Sequence, residues 1–271
     1  MMRWNRMVVA AGLMCVTLSA AGQTSAPATE PAASEPAVSA PAEMDPVARE
    51  ALKMLQDRKG TLKDFQAKVN YDVVHTKTED REGKLGTVDY VMDSAAGPTF
   101  SARFDIDTSE GVPIKKHRQD LVFDGTNVTV IDYAGKTYTR RSVLGPGGKP
   151  GDATSLNGGV PLPIGLNVEE VGRNFAVTAL PGDAGAKADE VVLQLVPREE
   201  VRGKFEFKKL VLTVDRKLEL PVKVVRTERN GDVTTVEFSE MAVNTGKSTM
   251  VDTSLPKGGN WGIDLGEGAQ K

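Results

Sequence analysis

The chain has 271 residues, of which 39% are hydrophobic and 26% charged, enough apolar material to build a core. Its formal net charge of −3, with no long basic run, argues against a nucleic-acid binder; the clusters Lys115-Lys116-His117-Arg118 and Arg140-Arg141 sit beside apolar strand-type residues and read as solvated strand faces. The one cysteine, Cys15, lies in the N-terminal stretch, so the body carries no disulfide, thiol nucleophile or zinc-thiolate site.

Arg3 and Arg6, an apolar run over residues 7–18, and the small residues Ser19, Ala20, Ala21 and Gly22 read as a secretory signal peptide over 1–22. The run is too short to span a bilayer, so cleavage is expected to release an exported protein. An uncleaved anchor is the alternative. A lipid-attachment signal at Cys15 is disfavoured by Met14 before it and by its place inside the apolar core. Losing Arg3 and Arg6 takes the formal charge from −3 to −5. Residues 23–44, "QTSAPATEPAASEPAVSAPAEM", hold almost nothing large and apolar, and a segment that cannot bury surface cannot offset its ordering entropy. They read as a disordered Ala/Pro-rich tether. The body runs from 45 to 265, one domain in length, with a flexible tail at 266–271.

The body opens with "DPVAREALKMLQDRKG", punctuated as a helix at both ends: Asp45 as N-cap, Pro46 at the first position, Arg58 and Lys59 in the last turn and Gly60 as terminator. Val47, Ala51 and Leu55 fall on one stripe with Ala48 and Leu52 beside them, so the helix needs an apolar surface to cover. "FQAKVNYDVVHT", "LGTVDYVM" and "FSARFDI" then alternate with period two, as strands do. "QDLVFDGTNVTVIDYAGKTYTRR" follows as a three-strand meander turning at Asp124-Gly125 and Ala134-Gly135. A glycine- and proline-rich central loop leads to a short helix around 167–173. Strands return in "EVVLQLVP", "KFEFKKLVLTVD" and a hairpin on Asn230-Gly231, with a bulge expected where Lys208-Lys209 breaks parity.

About ten strands with short turns predict a mainly β fold: a strongly curved antiparallel sheet, an incomplete β-barrel, covered by the N-terminal helix and a central loop or short helix. Such a sheet offers an apolar cavity. No catalytic, metal or cofactor motif accompanies it. His75 and His117, the only histidines, lie in no ligand spacing and read as solvated or structural. The carboxylates, Asp105, Asp107, Glu169 and Glu170 among them, show no pairing, and "GPGG" at 145–148 lacks the Lys-Ser/Thr and the helix of a phosphate loop. The expectation is a binding protein without cofactor, not an enzyme.

The order of the helix, "LKDFQAKV", "PTFSARFDID", the meander, "VVLQLVPRE", "KKLVLTVD" and "VKVVRTERNGDVTTVEFSEMAVN" resembles the LolA-like lipoprotein-localisation carriers of the bacterial periplasm over the whole body. The resemblance implies an incomplete barrel closed by helices whose apolar interior takes the acyl chains of a lipoprotein or lipid. With it come a periplasmic location, transfer partners in the inner and outer membranes, transport towards the outer membrane, and a monomer. It implies further that Arg103 holds a closed lid by hydrogen bonds to backbone carbonyls, with Phe104 where an aromatic partner is usual. Two stretches depart from the family: "DIDTSEGVPIKKHRQD" is longer than the typical connection, and the central loop replaces a regular lid helix. The architecture also resembles sensor domains of envelope-stress regulators, so the alternative is a sensor or protein-interaction module without transfer.

From the alternation, the candidate cavity residues are Phe65, Val69, Tyr71, Tyr90, Phe100, Phe104, Val128, Val130, Leu212 and Phe238, each of which, taken singly, reads first as core filling. Parity leaves open which face is concave. For Arg103 parity and resemblance disagree: Phe100, Ala102, Phe104 and Ile106 form the apolar face, and Arg103 falls between them on the polar one.

Overall fold

The computed structural model describes residues 44–93, 97–142, 166–181, 187–248, 251–254 and 258–266. The expected leader, the tether except Met44, most of the central loop with its "GPGG", and nearly all of the flexible tail lie outside the described residues.

Helix α1, Pro46–Arg58, starts where its punctuation places it: the Asp45 carboxylate accepts the Val47 N–H at 2.8 Å, and Pro46 occupies the first turn. It ends in tightened bonds, Lys59 N–H to Gln56 C=O at 3.3 Å and Gly60 N–H to Asp57 C=O at 3.1 Å. The buried stripe is Ala48, Ala51, Leu52 and Leu55. That corrects the expected phase: Val47 lies outside it, 43% exposed. The spacing 48, 51, 52, 55 closes a narrower face than one that also takes in 47.

Among the described residues twelve strands form one sheet: β1 (Asp64–His75), β2 (Asp80–Asp93), β3 (Gly97–Ser109), β4 (Val112–Phe123), β5 (Asn127–Asp132), β6 (Thr137–Ser142), β7 (Phe175–Leu180), β8 (Glu190–Pro197), β9 (Phe207–Asp215), β10 (Leu220–Glu228), β11 (Val233–Val243) and β12 (Gly262–Leu265). Their order across the sheet is β12-β6-β5-β4-β3-β2-β1-β11-β10-β9-β8-β7. Two antiparallel meanders, β1 to β6 and β7 to β11, therefore meet at the β1–β11 pair, and β12 adds to β6 in parallel. The sheet is not closed, as the incomplete-barrel expectation requires. β7 and β12 are the strands that the alternation did not reveal. The expected connection "DIDTSEGVPIKKHRQD" is itself the end of β3, its turn and most of β4.

The turns follow their residues. Gly125 and Gly231 take φ of 98° and 100°, conformations that a side chain would strain. At Ala134-Gly135 the left-handed residue is instead Lys136, φ 50°. The parity break in β9 is a register shift: Thr227 pairs with Lys209 while Glu228 pairs with Phe207, leaving Lys208 over as the bulge.

Helix α2, Val168–Asn174, capped by the Asn167 side chain on the Glu170 N–H at 2.9 Å, packs with α1 and β7. α1 touches β7 and β10. Leu52 and Leu55 of α1 and Val171 of α2 share one apolar core with Phe65, Tyr90, Phe100, Leu193 and Leu212 of the sheet. The face of the sheet carrying those residues is the inner face. Full burial of a leucine stabilises by about 1.5–3 kcal/mol, so this stripe is what fixes α1 to the sheet.

Described residues that follow β11 lie against the outer face. The Asp64 carboxylate accepts the N–H groups of Thr245 at 3.1 Å and Gly246 at 3.0 Å, and Gln66 Nε2 donates to the Lys247 carbonyl at 3.2 Å. Farther across, Tyr138 donates its hydroxyl to the Thr253 carbonyl at 3.0 Å, and Trp261 meets the Tyr133 ring edge-on with centroids 6.0 Å apart. Val122, Ile131 and Tyr138, on this face, are fully buried.

Candidate functional site

Residues directly opposite in antiparallel strands share a face, so register alone orders the inner face into rows. Phe65, Tyr90, Phe100, Phe123 and Val128 form the row nearest the α1 connection. Next come Ala67, Val88, Ala102, Leu121 and Val130, then Val69, Gly86, Phe104, Gln119 and Asp132. The row of Tyr71, Lys84, Asp107 and Lys115 follows, and Val73, Glu82, Ser109 and Val112 lie beyond it towards the hairpin turns. Across the seam Val69 opposes Phe238, and Tyr71, Val236, Val224 and Leu212 line up. The inner face is thus apolar at one end and carries its charged groups, Lys84, Asp107, Lys115 and Glu82, towards the other.

All ten residues singled out from the alternation stand on this face. Phe65, Val69, Tyr90, Phe100, Phe104, Leu212 and Phe238 are buried in the core, whereas Tyr71, Val128 and Val130 are half-buried. Phe65 stacks on Tyr90 with centroids 5.3 Å apart and planes at 15°, and Tyr71 meets Phe104 edge-on at 6.2 Å. Burial pushes the Tyr90 hydroxyl up to about 12 and raises that of Tyr71 as well, so both stay neutral.

Sequence reasoning missed the fringe. Met44, Met54, Met92, Leu121 and Met241 are partly buried against the same core. Unbranched and polarisable, methionine re-packs around varied shapes. Leu121 was legible in "QDLVFDG" by parity with Phe123; the methionines, scattered over a helix, two strands and an entry segment, give no periodic signal.

Arg103 corrects the clasp implied by the resemblance. It opposes Thr87 and Asp120 on the outer face, away from α1 and α2, because strict alternation beside Ala102 and Phe104 leaves it no other side. Its side chain is 44% exposed, with Nε 3.6 Å from Oδ1 of the fully buried Asp120. Arg118 and Tyr133 hold the other oxygen of that carboxylate at 2.8 and 3.0 Å. Arg103→Leu is therefore expected to leave the affinity and release rate of an acyl probe at wild-type values while circular dichroism stays native. A marked change in release would put Arg103 back in a lid.

At the charged end, Lys84 Nζ lies 2.8 Å from Asp107 Oδ1, and His117 bridges Asp107 and Asp132. Burial alone would raise the Asp107 carboxyl, but the Lys84 and His117 hydrogen bonds outweigh it and hold the group below the ordinary carboxylate range. Among the described residues no group of three or more His, Cys, Asp or Glu is arranged to hold a metal ion. No described helix is long and apolar enough to cross a membrane.

No family model matches the chain, and no curated protein matches it. Solved structures of LolA-superfamily and related proteins are similar to it. The LolA superfamily protein NE2245 from Nitrosomonas europaea aligns over 73% of this chain and 93% of its own at 13% identity and a TM-score of 0.30. LprF from Mycobacterium bovis aligns over 78% and 98% at 11% identity and 0.41. MucB, solved also in complex with MucA from Pseudomonas aeruginosa, aligns over 79% of this chain but only 64% of its own, at 16% identity and 0.43.

Proposed function

We propose that this chain is an exported, non-enzymatic binder of acyl chains, taking a lipid or an acylated lipoprotein on the inner face of its open sheet and carrying it through the periplasm towards the outer membrane. The observation that carries the reading is the graded inner face. Aromatic and aliphatic rows lie under the helices at one end, half-buried Leu121, Val128 and Val130 continue them to the β5 side, and charged groups close the other end. An amphiphile has that same polarity along its length. The methionine fringe supports the reading, since a carrier meets acyl chains of varied length and branching.

A fluorescent fatty-acyl probe tests it. Leu121→Asp places a charge among the apolar rows at a half-buried position, where it can hydrate without unfolding the core. Probe affinity is expected to fall by about tenfold or more, a loss of roughly one buried aliphatic contact surface, with circular dichroism unchanged. Native mass spectrometry of the purified protein should find co-purifying lipid. A protein that is lipid-free and indifferent to the probe, yet captures a stoichiometric protein partner, would favour the sensor reading instead. Delivery of a labelled lipoprotein to washed outer membranes separates a carrier from a binder.

A further inference from the structure

We propose that the chain's two histidines are proton-dependent cross-links holding the hairpin-turn end of the sheet together, so that this end tightens when both are charged and loosens when they are neutral. This is independent of any cargo. His117, on β4, places Nδ1 2.8 Å from Asp107 Oδ2 on β3 and Nε2 2.9 Å from Asp132 Oδ1 at the end of β5. His75, at the end of β1, repeats the arrangement: Nδ1 lies 3.2 Å from Asp232 Oδ2 in the β10–β11 turn and Nε2 3.2 Å from Glu82 Oε1 on β2. These are the only histidines in the sequence, and each sits between two carboxylates from two different elements.

The chemistry follows from donor counting. An ionised carboxylate only accepts, and a neutral imidazole has one N–H and one lone pair, so it can serve one of its two carboxylates and must face the other lone pair to oxygen. The imidazolium has two N–H groups and serves both. Removing the proton therefore breaks one strand-to-strand bond at each histidine. The effect is larger at His117, whose side chain is 11% exposed beside an Asp107 at 5%, than at His75, which is more open to solvent.

Other charges complete each setting. Asp107 also receives Lys84 Nζ from β2 at 2.8 Å and Lys115 Nζ from β4 at 3.4 Å, and Asp132 accepts the Gly135 N–H at 2.8 Å. Asp80 opposes His75 in register, while Asp232 also takes the Thr76 N–H and the Asn230 amide. The hydrogen bond that His75 donates to Glu82 lifts the imidazole above its ordinary value; burial opposes this and Asp232 adds to it. Asp107, Asp132 and Asp232 are each raised by burial, but hydrogen bonds outweigh it and hold them below theirs. A raised histidine stabilises below its unfolded-state pKa, and that contribution is lost as pH rises through the folded value. The lowered carboxylates act oppositely, losing theirs as pH falls. The His75 clamp is tight in the window between.

The test uses the full chain, by urea unfolding and amide hydrogen exchange at about pH 6 and about pH 8.5, on either side of the imidazole range. With intrinsic rates corrected, amides of β3, β4 and β5 near His117 are expected to exchange about tenfold faster at the higher pH relative to those around Leu212, the size of one hydrogen bond to a charged group. The urea midpoint should fall. His117→Gln should remove most of that pH dependence and His75→Gln a smaller part. Dependence that persists undiminished in the double variant overturns the proposal. If the variants fail to fold, imidazole nitrogen shifts of the wild-type chain decide: both His75 nitrogens protonated at about pH 6 are expected, and a neutral single-tautomer ring there overturns it.

Discussion

Gly86→Ala is expected to prevent the chain from reaching its native sheet. A Cβ at Gly86 would lie 1.9 Å from the Arg103 carbonyl oxygen and 2.8 Å from both the Arg103 carbonyl carbon and the Phe104 Cα. All three are backbone atoms, so no rotamer change can clear them, and the strands β2 and β3 would have to separate. The site is already irregular: Gly86 pairs with Phe104 while Leu85 pairs with Ile106, leaving Asp105 as an extra residue that drives the β3 backbone towards β2. Parting the pair here breaks ladder bonds on both sides and opens the Phe104 row. The cost exceeds about 4 kcal/mol, a large share of the roughly 5–15 kcal/mol that a domain commands. Chemical denaturation, or loss of soluble protein altogether, reads the result. Gly203→Ala is the control: nothing lies within 4 Å of its added Cβ, and stability should stay within about 0.5 kcal/mol of wild type.

Phe65→Ala is expected to cost about 3–5 kcal/mol while leaving the secondary structure in place. Phe65 is 1% exposed and stacked on Tyr90, and it opposes Tyr90 on one side and Val243 on the other, so its ring spans the junction between the two meanders. Truncation removes the transfer energy of the ring and leaves a void among side chains fixed by three strands, which can collapse only in part. The thermal midpoint should drop by on the order of 10 °C. Val112→Ala, at a position 61% exposed, should change it by less than about 2 °C. Equal effects at the two positions would mean that the Phe65 row is not packed.

Much of this is legible in the amino-acid sequence. The Asp45-Pro46 start of α1 is written in residue chemistry, and period-two alternation alone put all ten apolar candidates on one face, because a strand offers a side chain only two directions. What failed did so for local reasons. Val112 through His117 alternates between no two environments, since residues 112–116 are exposed on either face, and so this half of β4 read as a connection. β12 is four residues long and pairs in parallel with β6, leaving neither length nor hairpin turn to detect. The histidines looked solitary because their partners are brought by register: Asp232 is 157 residues from His75. Arg103 shows the reverse lesson. Alternation placed it on the outer face, and the family resemblance implied otherwise.

The meeting of the two meanders at β1 and β11 has a kinetic consequence. Every pair from β1 to β6 joins neighbours in sequence, as does every pair from β7 to β11, but β1 finds β11 only after the intervening chain has been made. Until then the edge of β1 offers unpaired N–H and C=O groups along twelve residues, with Phe65, Val69 and Tyr71 standing beside them. Closing so long a loop is the slow step of such a topology, and the half-made sheet is the species most prone to pairing with another copy. Chains cut short before Val233 should therefore aggregate through β1, and refolding of the whole chain should be limited by the zipping of that one seam.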